Sequence, residues 1–249
     1  MTVDYEVYAE KHPYFQTATY PPLYEALVRN TSGTFLEVGC GDGNQLQHFL
    51  QTGSLSAFNR ILATDISRTR VARIETNVPA VKAFVADAAA LPVESESIDV
   101  LFSNQVIEHV DDDSAMAREI FRVLKPGGMS LVGSVVKGKG AWYFYRCRGA
   151  WRLDPTHVRE YTTAAAYRNV FEEVGFEVKS TESEDVVFPL RDLMLRLTFR
   201  MAIGPFRRAV DSASFRDLSM RLPPLGIPIP RYEFVYALLE KPKHSGGGG

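Results

Sequence analysis

Five short segments carry residue types that could do chemistry. Leu36-Glu37-Val38-Gly39-Cys40-Gly41-Asp42-Gly43 places three glycines after an apolar, β-branched run. Such glycines let a ligand press against backbone at the start of a helix. A plain tight strand-to-helix turn would use the same residues. A dinucleotide site is a second option, but the spacing is G-x-G-x-G and not G-x-G-x-x-G. Glu37, two residues ahead of the glycines, would repel a pyrophosphate and suit a cationic ligand. Ala63-Thr64-Asp65-Ile66-Ser67 and Ala86-Asp87-Ala88-Ala89 each end a further apolar run with a carboxylate. Two histidines could move a proton. One is His109 in Phe102-Ser103-Asn104-Gln105-Val106-Ile107-Glu108-His109. The other is His157 in Asp154-Pro155-Thr156-His157-Val158-Arg159-Glu160-Tyr161.

These segments need elements to hold them. Runs at 34–38, 60–64, 81–85, 98–102, 129–135, 175–179 and 232–239 read as strands. Helical stretches at 44–51, 68–76, 113–124 and 163–174 alternate with them. The fold class this predicts is α/β, a Rossmann-like doubly wound parallel sheet. Pro126-Gly127-Gly128 is expected to stop the helix over 113–124. Two insertions, 137–160 and 182–230, are expected to cover the ligand face of a domain over 31–243. Residues 1–30, rich in tyrosine, read as an N-terminal flap, and 244–249 as a disordered tail.

The chain has 249 residues, 45% hydrophobic and 23% charged, with a net charge of −2. A disordered or fibrous chain is excluded by that balance, and no global positive charge points to nucleic acid. Uninterrupted apolar runs fall short of the roughly 18 residues of a membrane-spanning helix. Two cysteines, Cys40 and Cys147, make no disulfide framework. With no basic, apolar leader at the N-terminus, a cytoplasmic location is expected.

In this order the motifs resemble the class I S-adenosylmethionine-dependent methyltransferases, in particular the small-molecule group that includes the ubiquinone and menaquinone methyltransferases. The likeness covers residues 30–180 and the last strand. It implies a seven-stranded sheet whose last strand is antiparallel, and S-adenosylmethionine as cofactor. By similarity, Glu37, Gly39 and Gly41 hold the cofactor at the elbow, and Asp65 takes the ribose hydroxyls. Ile66 packs on the adenine, Asp87 and Ala88 bind its edge, and Asn104 and Gln105 line the methionine arm. Val123-Leu124-Lys125-Pro126-Gly127-Gly128 matches the family's turn before strand five. Ser103-Asn104-Gln105-Val106 lacks the Asn/Asp-Pro-Pro-aromatic turn of nucleobase amine methyltransferases, which argues against a nucleic-acid acceptor.

The acceptor is less well marked. His109 resembles the histidine at this offset in phosphoethanolamine methyltransferases, and either it or His157 is the candidate base. Each has a bland alternative as a packing or capping residue. Asp154, Arg159 and Tyr161 are candidate acceptor contacts, as are Tyr14, Trp142 and Tyr145, whose aromatic faces suit a sugar. No protein metal site is expected. A magnesium ion at Asp111-Asp112-Asp113 is the weaker reading beside helix capping. The expected activity is O-methylation of a small-molecule or glycan hydroxyl. A quinone or lipid-like acceptor, or a cofactor-binding partner subunit without catalysis, are the alternatives. The apolar, arginine-bearing 187–206 stretch leaves room for a peripheral membrane contact or a homodimer.

Overall fold

The computed structural model describes residues 4–11, 22–143, 145–147, 149–189 and 226–243. Strand β1 (Gly33–Val38) is buried from Phe35 to Val38 on both faces, as its unbroken apolar run requires of a central parallel strand. It pairs in parallel with β2 (Phe58–Asp65) on one side and β4 (Ile98–Asn104) on the other. Strand β3 (Lys82–Val85) follows β2 at one edge, and β5 (Leu124–Lys137) follows β4. Two further strands, β8 (Glu177–Pro189) and β9 (Gly226–Glu240), complete a seven-stranded sheet of order β3-β2-β1-β4-β5-β9-β8 among the described residues. Strand β9 runs antiparallel to both β5 and β8, as expected of the last strand.

The direction of winding reverses between β1 and β4, which opens a crevice at their carboxyl ends. Register places Val38 beside both Thr64 and Ser103. The glycine elbow, Asp65 and the segment after Asn104 therefore share one edge of the sheet.

Helices cover both faces. On one, α5 (Asp113–Val123) and α6 (Ala164–Glu172) bury Met116, Ile120, Tyr167 and Phe171. On the other, α3 (Asn44–Gln51) and α4 (Arg68–Asn77) bury Leu46, Phe49, Val71 and Ile74. Three of these helices start on a side-chain cap: Ser67 accepts from Arg70 N, Asp112 from Ala115 N and Thr163 from Ala166 N.

Several boundaries differ from the sequence expectation. Helix α5 ends at Val123 and Leu124 already opens β5, because a residue before proline, here Lys125, is disfavoured in helical conformation. Both ends of the 182–230 insertion are strand: β8 and β9 continue as a paired antiparallel ribbon to Pro189 and from Gly226. The polar run Ser180-Thr181-Glu182-Ser183-Glu184-Asp185 hid this, since an edge strand needs little apolar alternation. Residues 190–225, most of the 187–206 stretch and the tail 244–249 lie outside the described residues. The 137–160 insertion holds a separate hairpin of β6 (Tyr145–Cys147) and β7 (Ala150–Arg152).

The N-terminal region divides in two. Helix α1 (Tyr5–Lys11) lies at the ligand edge, whereas α2 (Pro22–Arg29) belongs to the core. Tyr24 is fully buried, edge-on to Phe102 at 5.1 Å and Tyr236 at 5.5 Å. Tyr24→Ala should therefore cost about 3–5 kcal/mol in urea unfolding followed by circular dichroism. A change within about 0.5 kcal/mol would place α2 outside the cooperative core.

Candidate active site

The elbow after β1 is shaped by left-handed glycines. At Gly39 (φ 73°) a Cβ would lie 2.2 Å from Val106 Cγ2, so only glycine lets the turn close on the segment after β4. Gly39 N and Cys40 N both donate to Thr64 O, at 2.7 and 2.9 Å, tying the elbow to the end of β2. Asp65, buried, accepts from Gly41 N (2.9 Å) through one oxygen and from Ser67 N (2.9 Å) through the other. Each oxygen keeps lone-pair capacity for a ligand hydroxyl.

Glu37 is also buried, and its Oε2 has no hydrogen-bond partner. Burial, and secondarily the charge of Asp65, pushes its carboxyl up to about 8. Asn104 Oδ1 and Gln105 Nε2 are likewise buried without partners, and Gln105 is held at φ 57°. Unpaired buried polar atoms gathered at one sheet edge call for a polar ligand. Two carboxylates and two amides suit a ligand with hydroxyls and positive charge, which is the chemistry of S-adenosylmethionine. Beside the elbow, Ile66 is 48% exposed, Ala88 is buried, and exposed Asp87 folds one oxygen onto Ala89 N at 2.8 Å. Burial pushes the Cys40 thiol up, which makes it a poor nucleophile.

Helix α1 straps this edge. Glu6 accepts from Ser67 Oγ (3.0 Å), Thr69 N (3.2 Å) and Arg68 N, satisfying the open N–H groups of α4. Tyr5 OH donates to His109 O at 3.3 Å, and Arg73 bridges Ala9 O and Asp42. Neither Glu6 nor Arg73 was singled out from sequence, because their partners lie far away along the chain.

Past β4, the structure brings His109 and His157 together, with ring centroids 4.9 Å apart. Glu108, which sequence reasoning passed over, joins them: one ligand atom from each of the three lies within 4.8 Å of the others. Each imidazole is fixed at Nδ1. Thr156 Oγ1 donates to Asp154 Oδ1, so it accepts from His109 Nδ1 at 3.0 Å. His157 Nδ1 donates to Glu160 Oε1 at 2.9 Å. These partners assign the tautomers and leave both Nε2 lone pairs available. Glu108 Oε2 accepts from Ser134 Oγ at 3.0 Å, while Oε1 is buried without a partner. Burial, with a smaller push from His157, holds His109 below its ordinary value despite the Glu108 charge. Burial acts the same way on His157, but the Glu160 hydrogen bond and the charges of Glu108 and Asp154 outweigh it and hold it above.

The other expected acceptor residues are placed differently. Arg159 donates to Ile107 O, Val110 O and Asp111 O, and Val158 N and Arg159 N donate to Glu108 O. Its guanidinium thus stitches the two histidine loops together. Tyr161 OH donates to Asp113 Oδ2 at 2.9 Å, and Asp112 caps α5, so two of the three aspartates of 111–113 serve structure. Trp142 is 52% exposed and lies 5.7 Å from Trp151, and Tyr145 is exposed on β6. Tyr14 lies outside the described residues.

The architecture is that of the class I methyltransferases. Residues 36–132 match the family model described as a methyltransferase domain. A probable S-adenosylmethionine-dependent methyltransferase of Mycolicibacterium smegmatis is 32% identical over 160 residues, covering 64% of this chain and 58% of that protein. The chain spans 39–58% of the length of such curated relatives. Among solved structures, the [4+2]-cyclase SpnF superposes with a TM-score of 0.57 at 22% identity, covering 89% of this chain and 80% of that one. A Haemonchus contortus phosphoethanolamine N-methyltransferase with bound S-adenosylhomocysteine gives 0.55 at 16% identity, covering 89% and 53%. Residues 36–132 are thus similar to a methyltransferase domain, and the chain to S-adenosylmethionine-dependent methyltransferases. No helix among the described residues is long and apolar enough to cross a membrane.

The Glu37 environment has a measurable consequence. The folded chain keeps this proton to about pH 8, while the unfolded chain releases it near the ordinary carboxylate value. Folding therefore loses stability as pH rises from about 5 through 8. Glu37→Gln should remove that part of the slope in cofactor-free protein, measured by urea unfolding across this window. An identical slope in both proteins would contradict the assigned environment.

Proposed function

We propose that this protein transfers a methyl group from S-adenosylmethionine to a hydroxyl of a small-molecule or sugar acceptor. The observation that carries the hydroxyl reading is the Glu108–His109–His157 cluster. A hydroxyl needs more help in losing its proton than a thiolate or an enolate, and this cluster offers two oriented Nε2 lone pairs beside a carboxylate. Its position supports the same reading, since Val106, two residues before Glu108, packs against Gly39 of the elbow.

When bound, S-adenosylmethionine supplies an electrophilic methyl carbon and a neutral thioether leaving group. The chain's own part is placement. Glu37, Asp65, Asn104 and Gln105 hold the polar groups of the cofactor, with Gly39 and Gly41 giving backbone access and Ile66, Asp87 and Ala88 flanking the adenine. His109 and His157 meet the acceptor hydroxyl and favour its ionised form. Glu160, Asp154 and Thr156 keep both rings in the required tautomer. The exposed faces of Trp142 and Tyr145 suit stacking on a sugar ring.

Two measurements test this. Asp65→Ala should weaken S-adenosylmethionine binding by about 10- to 150-fold in calorimetry, the range for losing hydrogen bonds to a charged group. With a panel of sugar, phenol, quinol and isoprenoid acceptors, S-adenosylhomocysteine should form fastest with a hydroxylated acceptor. His109→Ala and His157→Ala should each slow that turnover by about 100-fold or more while leaving cofactor affinity unchanged. Turnover confined to an apolar acceptor carbon, or unaffected by either histidine, would overturn the hydroxyl assignment. Tight cofactor binding without turnover on any acceptor would favour a non-catalytic partner subunit.

A further inference from the structure

We propose that Glu108, His109 and His157 form a binding site for one divalent first-row transition ion, with His109 Nε2, His157 Nε2 and Glu108 Oε1 as ligands. The role assigned to the ion in activating an acceptor rests on the methyltransferase reading, but the binding itself does not.

Three observations converge on it. The first is the donor set. Two imidazoles and one carboxylate converge from two loops, their ligand atoms within 4.8 Å of one another. Two nitrogens and one oxygen are ligands that zinc, iron, cobalt and manganese accept. Metal–ligand bonds of about 2.0–2.2 Å put neighbouring ligands roughly 3–3.5 Å apart, so small rotations of the two rings and the carboxylate would close the set on an ion.

The second is the supporting shell. A metal-binding histidine donates its other N–H to a carboxylate or another acceptor, which fixes ring and tautomer. Both histidines do so here. His109 Nδ1 donates to Thr156 Oγ1, itself oriented by Asp154 Oδ1 at 2.5 Å. His157 Nδ1 donates to Glu160 Oε1, and Glu160 is steadied by Leu153 N at 2.6 Å and Tyr232 OH at 3.1 Å. Ser134 does the same for Glu108 Oε2. The backbone bonds from Val158 and Arg159 to Glu108 O lock the two loops in register.

The third is the unpartnered oxygen. Glu108 is fully buried, yet Oε1 has no hydrogen-bond partner. A buried carboxylate oxygen left alone is costly, and a cation between it and the two free Nε2 atoms would satisfy all three at once. Open ligand positions would remain, since three protein ligands do not fill a tetrahedral or octahedral ion. With both Nε2 lone pairs engaged by the ion, the cation and not the free rings would face the acceptor oxygen, setting positive charge against it and favouring its ionised form.

The test uses the full chain, stripped with a chelator and titrated separately with Co2+ and Zn2+. Calorimetry should show one ion per chain, and Co2+ should develop visible ligand-field absorption. Thr156→Val and Glu160→Gln, which leave the three ligands in place, should weaken binding by about 10- to 100-fold. The double variant His109→Ala/His157→Ala should lose it, with circular dichroism checking that the fold is retained. Failure of the unaltered protein to bind either ion at one per chain overturns the proposal, as does unchanged binding in the double variant. S-adenosylmethionine titrated in parallel separates the two readings. Cofactor binding without metal binding removes only the ion, and metal binding without cofactor binding removes only the methyltransferase assignment.

Discussion

A carboxyl group buried without a partner is the constraint on which the rest of the site turns. Glu37 lies in the buried half of β1, where burial and, secondarily, the charge of Asp65 disfavour its ionised form. Nothing in the packing of β1 needs an acid there, and an apolar residue would suit the surrounding core better. Retaining it makes sense where a positively charged ligand supplies the missing partner. The same condition explains why the turn that follows is built from left-handed glycines and anchored by Thr64 and Asp65. A ligand has to approach the backbone closely enough for the carboxylates to reach it.

The sheet topology brings the two histidines to the same edge as this elbow. Because β1 and β4 are neighbours with opposite onward winding, the segment leaving β4 must pass directly over the elbow. Val106 does so against Gly39, and Glu108 and His109 follow within a turn. The second histidine arrives from a loop far along the chain and is held by Arg159, whose guanidinium reaches three carbonyls of the first loop. Helix α1 then spans from the start of α4, through Glu6, to the carbonyl of His109, through Tyr5. The glycine elbow and the paired histidines are thus mechanically linked. The superposed [4+2]-cyclase, of the same architecture, is a reminder that the scaffold alone does not fix the reaction.

What the sequence disclosed was mainly local. The glycine elbow, Asp65 and the alternation of strands and helices are written in contiguous residues with strong periodicity, and each falls where the pattern put it. Boundaries set by pairing with distant strands were less legible. The polar residues of β8 give no apolar alternation, and Leu124, which the apolar pattern of the helix includes, pairs instead with Ile98 of β4. At the site, His109 and His157 were visible as chemical groups, but Glu108 was not, since its significance comes from a histidine 49 residues away. Arg159 and Tyr161 have the chemistry of acceptor contacts, yet tertiary bonds engage them in bracing. Glu6 carries no local signal, because the helix end it caps is 62 residues downstream.

What the elbow binds decides the role of Glu37 and Asp65. Calorimetric titration of the unaltered chain with S-adenosylmethionine, S-adenosylhomocysteine and NAD, under one set of conditions, addresses this most directly. The two sulfur nucleosides should each bind with one-to-one stoichiometry and NAD should give no heat of binding. NAD saturating the site while neither sulfur nucleoside does would contradict the reading of Glu37 and Asp65 from which everything else follows.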